Sequence, residues 1–114
     1  MSGEDFNLEN DEAILKINSP QRSLKGPYAV VYKNTEERWA IVAMNWNGEP
    51  NLGIRWFWGK SGNPISRSYP TWFIIPSMLR NEILNSLPLD SLFRDNLNRF
   101  LMGEISGNQL NKGE

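Results

Sequence analysis

Two runs of apolar residues, at positions 28–33 and 39–46, have the length and composition of β-strands. The first is rich in β-branched and aromatic side chains and lies between Pro27 and a polar segment, which predicts a strand. The second is apolar at both alternating sets of positions, a pattern typical of a strand near the centre of a sheet. Asn47-Gly48 follows and favours the positive φ angles of a type I′ hairpin turn, or of a slightly longer turn that Pro50 completes.

A third and a fourth strand are predicted beyond this turn. Residues 59–64 contain Gly, Ser, Asn and Pro and predict a loop. Residues 71–75 are again β-branched and aromatic, and Pro76 ends this fourth strand. Alternation in the third strand, residues 52–58, places Leu52, Ile54, Trp56 and Trp58 on one face and Gly53, Arg55 and Phe57 on the other.

After the strands, apolar residues recur at helical spacing, which predicts two helices. The first spans about residues 77–87, with Ser77 as its N-cap. The second spans about residues 91–102, is capped by Asp90 or Ser91, and ends at Gly103. Strands followed by helices indicate an α+β fold. We expect a four-stranded, mainly antiparallel sheet at about residues 28–75, with both helices packed on one face.

The ends of the chain are polar, and the length allows one domain. Residues 1–12 are acidic and are predicted to form a disordered tail, as are residues 104–114, which leaves a single domain at residues 13–103. No apolar run approaches the ~20 residues of a membrane span, and the N-terminus is acidic where a signal peptide is basic. We therefore expect a cytoplasmic protein that does not contact membranes.

Composition excludes most enzyme chemistry. The 114 residues include neither Cys nor His, so thiol nucleophiles, imidazole bases and the usual zinc and iron–sulfur ligands are absent. Gly59-Lys60-Ser61 is similar to the end of a phosphate-binding loop, but its distance from Gly53 is one residue too long and no helix follows. The carboxylates form no motif. We expect no catalytic residues, no metal and no cofactor, and hence a non-enzymatic binding domain.

Charge and aromatic residues coincide in the middle of the chain. Residues 20–80 carry eight basic and three acidic side chains, whereas residues 1–19 have a net charge of −4 and residues 81–114 of −2. Aromatic residues on both faces of the strands exceed what a sheet covered on one side needs for its core. Exposed rings among cations are typical of single-stranded nucleic-acid binding. The predicted nucleic-acid-binding residues are Lys33, Arg38, Trp46, Arg55, Trp56, Trp58, Lys60 and Arg67.

The same pattern has two other interpretations. The second face of the sheet could be buried in a homodimer or against the N-terminal segment, which would favour a small protein–protein interaction, accessory or inhibitor protein. A Trp-lined pocket for a small apolar or cationic ligand is the third hypothesis. We expect a homodimer, with single-stranded nucleic acid or another protein as partner.

Two neighbouring segments carry a family resemblance. Residues 46–50, with the sequence Trp-Asn-Gly-Glu-Pro, and residues 52–56, Leu-Gly-Ile-Arg-Trp, resemble bacterial members of the positive cofactor four family of transcriptional coactivators. The resemblance covers about a dozen residues directly and implies a dimer that binds single-stranded DNA on a curved sheet. It would place Trp46, Arg55 and Lys60 near the ligand. The second predicted helix is extra to the family pattern.

Overall fold

The computed structural model describes residues 6–59 and 62–110 and has the expected α+β class. A short helix precedes the strands, and a small extra hairpin follows the third of them. Turns of 3-10 helix span Ser77–Leu79 and Gly107–Gln109. The elements are α1 (Asp11–Leu15), β1 (Leu24–Asn34), β2 (Trp39–Trp46), β3 (Glu49–Trp56), β4 (Ile65–Ser66), β5 (Tyr69–Pro70), β6 (Phe73–Ile74), α2 (Arg80–Ser86) and α3 (Ser91–Leu101).

The main sheet has four antiparallel strands in the order β1-β2-β3-β6, which confirms the predicted sheet. β2 and β3 pair in regular register from Trp39 opposite Trp56 to Trp46 opposite Glu49, so Asn47-Gly48 is a two-residue turn as predicted. β6 contributes only two residues beside β3. β4 and β5 form a separate hairpin that the sequence pattern did not indicate.

Both long helices lie on one face of the sheet, as predicted. On this face Ile41 and Leu52 of the sheet belong to one buried cluster with Leu97 and Phe100 of α3. The Asp90 carboxylate accepts hydrogen bonds from the backbone N–H groups of Leu92 and Phe93 at the start of α3, which confirms the predicted cap. The prediction of a Ser77 cap is wrong, because the 3-10 turn before α2 begins with no side-chain capping bond.

The opposite face of the sheet is covered by the N-terminal segment, residues 6–17. Ile14 from this segment is fully buried in a second cluster with Met44, Phe57 and Trp72. The Trp72 indole donates a 2.7 Å hydrogen bond to the carbonyl of Ile17. The chain itself therefore buries both faces of the sheet. The expectation that the sheet is covered on one side only, with aromatic rings exposed on the other, is wrong, and the alternative of burial against the N-terminal segment is the one observed.

The folded domain extends beyond the predicted limits of residues 13–103. Leu8 is 3% exposed and Leu110 is 2% exposed, so residues on both sides of those limits contribute to the core. Gly107 packs so closely on the ring of Tyr28 that a Cβ atom would overlap it. The disorder predicted for residues 6–12 and 104–110 is therefore wrong, because each segment supplies apolar side chains that cover the sheet. The remaining tail residues, 1–5 and 111–114, lie outside the described residues.

Within the described chain, no helix is long and apolar enough to cross a membrane.

Candidate interaction surface

Two of the predicted phosphate-binding cations hold the N-terminal segment instead. Lys33 donates a 2.8 Å hydrogen bond to the carbonyl of Leu8 and forms a 2.7 Å ion pair with Asp11. Arg38 donates a 2.6 Å bond through Nη2 to the carbonyl of Phe6. These bonds satisfy backbone carbonyls at the start of the described chain. Both side chains are therefore engaged in fixing the cover of the second sheet face.

Arg55 is buried and cannot contact a ligand, so its assignment as a binding residue is wrong. Its side chain is 1% exposed and lies over the ring of Phe57, 5.1 Å from the centroid. Nη1 donates to the carbonyls of Pro64 at 3.0 Å and Thr71 at 2.6 Å. Burial lowers its pKa from the ordinary value of an arginine to about 10, so the guanidinium remains charged at neutral pH. Strand alternation correctly placed Arg55 on the face of β3 opposite Leu52, but the N-terminal segment covers that face.

The predicted tryptophans differ in exposure. Trp46 is half-buried against the cluster beneath the N-terminal segment, and Trp56 is half-buried opposite Trp39 in the sheet. Trp58, just beyond β3, is 58% exposed. Lys60 lies outside the described residues, whereas Arg67 is exposed. The structure therefore leaves Trp58 and Arg67, from neighbouring turns of one segment, open to solvent.

That segment, of which the structure describes residues 58–59 and 62–70, is here called the arm, and it contains two successive turns. The first turn is closed where Trp56 and Asn63 exchange backbone hydrogen bonds of 2.8 and 3.0 Å. The second is the β4–β5 hairpin, whose strands leave only Arg67 and Ser68 as a two-residue turn. The bond from Arg55 to the carbonyl of Pro64 attaches the arm to the sheet, and the N–H of Thr71 donates to the same carbonyl at the base of the hairpin.

The arm and the residues after it hold most of the large apolar side chains on the surface. Among the described residues, eight large hydrophobic side chains are exposed, and six of these lie between positions 58 and 79. The two others, Leu92 and Met102, lie on α3 and at its end. These six side chains are close along the chain, and a contiguous exposed apolar patch is typical of interaction surfaces. The exposed apolar set comprises Trp58, Ile65, Tyr69, Phe73, Met78 and Leu79.

The same stretch has a charge signal that the sequence reasoning missed. Residues 50–81 contain four basic side chains and no carboxylate, whereas the other 82 residues carry eight basic and thirteen acidic side chains. Dividing the chain at residues 20–80 obscured this run, because that window includes Glu36, Glu37 and Glu49. A search for the longest carboxylate-free run would have found it. The exposed apolar set therefore lies on a segment without negative charge.

Comparison with protein-family models, curated proteins and solved structures finds no match. The resemblance to the positive cofactor four family stays a prediction based on residues 46–56. Among residues 6–59 and 62–110, no group of three or more acidic side chains is arranged to hold a metal ion.

Proposed function

We propose that this protein is a non-enzymatic protein-binding module whose interface is the exposed apolar set. The observation that carries the proposal is the location of six of the eight exposed large hydrophobic side chains of the described residues between positions 58 and 79. Trp, Tyr, Met and Phe are enriched in the central parts of protein interfaces. Trp58, at 58% exposure, and Tyr69, at 63%, are the side chains suited to anchor a partner.

The composition of the arm supports the proposal. Around Trp58, Arg67 and Tyr69 it contains mainly Gly, Ser, Asn and Pro. Antibody loops have a similar composition, in which rigid aromatic rings supply contact area and small polar residues supply adaptable hydrogen bonds. Arg55 anchors the base of the arm to the sheet. An anchored base lowers the entropy that the arm loses on binding.

Side-chain contact is favoured over the addition of a strand to the sheet. β1, one edge of the sheet, contains Pro27 and two interruptions of its register with β2. β6, the other edge, has two residues and lies between Pro70 and Pro76. Short strands, prolines and register irregularities are features that prevent edge-to-edge pairing. A partner would therefore bind the side chains of the arm rather than the backbone of an edge strand.

Selection from a displayed library of random peptides tests the proposal. Peptides selected on the wild-type protein are expected to lose about tenfold or more in affinity when Trp58→Ala is combined with Tyr69→Ala. The matched control combines Leu92→Ala with Met102→Ala, which removes exposed apolar side chains outside the interface. Peptides that bind the arm variant as tightly as the wild type, or that map elsewhere by NMR chemical shifts, would contradict the proposal.

Single-stranded nucleic acid is a second candidate at the same surface. It is favoured by Trp58 and Tyr69, whose rings could stack on bases, and by Arg67 in a segment without carboxylates. Titration with oligo-dT at about 50 mM and about 200 mM salt, followed by Trp fluorescence, tests it. Saturable quenching that Trp58→Ala abolishes would support this candidate. The predicted homodimer stays a prediction, and light scattering after size-exclusion chromatography tests it.

A further inference from the structure

Most arginine side chains of this protein are engaged within the chain. Five of the seven arginines bond to carbonyl or carboxylate oxygens, as Arg80 does with the carbonyl of Pro50 at 2.9 Å. The two others, Arg22 and Arg67, are exposed and form no hydrogen bond or ion pair with residues 6–59 or 62–110. Only Arg67 lies in the arm. Its guanidinium is therefore available to a ligand beside the exposed apolar set.

The surroundings of Arg67 favour a carboxylate as that ligand. A guanidinium presents paired N–H donors that match the two oxygens of a carboxylate. No Asp or Glu within residues 50–81 competes for it. Tyr69, which is exposed and directly follows the turn, would shield one side of a bound ion pair from water. Exclusion of water strengthens a charge-assisted hydrogen bond relative to one in open solvent.

The backbone at Arg67 gives an independent reason to regard its side chain as functional. Arg67 and Ser68 have φ angles of 53° and 74°, in the left-handed region that Gly and Asn adopt most readily. Each such residue costs on the order of 1 kcal/mol in backbone strain. Strained residues of this kind cluster at ligand-binding sites. The turn therefore holds an arginine at a position where Gly or Asn would be more stable.

We infer that the arm binds an acidic segment of a partner protein, in which an Asp or Glu pairs with Arg67 and an adjacent aromatic or aliphatic residue packs on Trp58 and Tyr69. This inference rests on the proposed function and specifies the chemistry of the partner. Charge complementarity argues for it, since the guanidinium of Arg67 is exposed and residues 50–81 contain no acidic side chain. Arg67 is then a specificity-determining residue, because it distinguishes a carboxylate from its neutral amide.

Two peptides of the same length test this inference. One combines Asp and Glu with Trp and Leu, and the other replaces each Asp by Asn and each Glu by Gln. The wild-type protein is expected to bind the acidic peptide about tenfold more tightly than its amide counterpart, as measured by fluorescence anisotropy. Arg67→Gln is expected to reduce this preference to about twofold or less. Arg22→Gln, the matched control at the other exposed arginine, should leave the preference unchanged.

A second variant separates loss of recognition from loss of folding. Arg67→Asn combined with Ser68→Gly supplies residues that adopt the turn without strain but lack the guanidinium. This variant is expected to fold and to lose the preference for the acidic peptide. A preference retained in both Arg67 variants would overturn the inference.

The remaining outcomes distinguish the inference from the proposed function. Equal affinity for both peptides, with binding still lost in the Trp58→Ala, Tyr69→Ala variant, would overturn the acidic partner and support the protein-binding surface. If the Trp58→Ala, Tyr69→Ala variant binds both peptides as tightly as the wild type does, the proposed function is overturned as well. If oligo-dT displaces the acidic peptide from the arm and binds more tightly than the peptide does, the surface is assigned to nucleic acid.

Discussion

Two turns of this protein have nearly the same backbone and very different chemistry. Asn47-Gly48 joins β2 to β3 and Arg67-Ser68 joins β4 to β5, each as the only two residues between paired strands. Their φ angles are 52° and 84° in the first turn and 53° and 74° in the second. Positive φ at both positions is characteristic of the type I′ hairpin turn.

The difference concerns what holds each turn in place. Asn47-Gly48 adopts the conformation without strain and connects two strands of eight residues each. Arg67-Ser68 is strained and connects strands of two residues, which provide few backbone hydrogen bonds. The second hairpin depends on contacts from elsewhere, including the bonds of Arg55. The first turn thus follows from its local sequence, and the second is imposed by tertiary structure and exposes functional side chains.

The largest expected effect comes from removing the tertiary support of the arm. Arg55→Met keeps an apolar stem but leaves the carbonyls of Pro64 and Thr71 without this donor. We expect the free energy of unfolding to fall by about 3 kcal/mol, because the substitution removes the hydrogen bonds that the buried guanidinium donates to these two carbonyls. Urea denaturation measures this, with Arg22→Met as the exposed control. A loss below about 1 kcal/mol would mean that the arm does not need Arg55.

A reciprocal exchange of residues at the first turn is expected to have the next largest effect. Asn47→Arg combined with Gly48→Ser places the strained pair in the central hairpin, where the space around Gly48 is open and the cost arises from the backbone. We expect the free energy of unfolding to fall by about 2 kcal/mol. Thermal and urea denaturation measure it. An unchanged stability would refute the claim that the two turns differ in strain.

The opposite exchange at the second turn is expected to stabilise the protein. Arg67→Asn with Ser68→Gly relieves the strain, and we expect a gain of about 1 kcal/mol in the free energy of unfolding. The gain is smaller than the preceding loss because the short β4–β5 hairpin can open locally before the whole chain unfolds. Hydrogen exchange at Ser66 and Tyr69 measures the local part. Destabilisation would show that Arg67 or Ser68 has a structural role.

The smallest effect on stability is expected at the proposed anchors. Trp58→Ala and Tyr69→Ala each remove a side chain that is more than half exposed, so the free energy of unfolding should change by less than about 0.5 kcal/mol. Urea denaturation checks this. Trp72→Ala provides the contrast, because Trp72 is 4% exposed and its loss leaves a cavity. A large loss from Trp58→Ala would indicate a core residue rather than an interface anchor.

Local patterns in the sequence were enough to predict the α+β class, the central hairpin and the two long helices. Asn47-Gly48 and the Asp90 cap each act within a few residues, so their structural effect can be inferred without knowing the rest of the fold. Alternation also assigned Arg55 and Leu52 to opposite faces of β3 correctly. These features depend on contacts close in sequence and on the two-residue period of a strand.

Only the tertiary structure decided which of these surfaces is open. The five residues of α1 are too few for a periodic pattern, so the sequence left the cover of the second sheet face by the N-terminal segment as one alternative among several. The acceptors of Arg38 and Arg55 are backbone carbonyls, which every residue has and which no sequence motif reveals. The local sequence determined the elements and their faces, whereas long-range packing determined which cations and aromatic rings remain available to a partner.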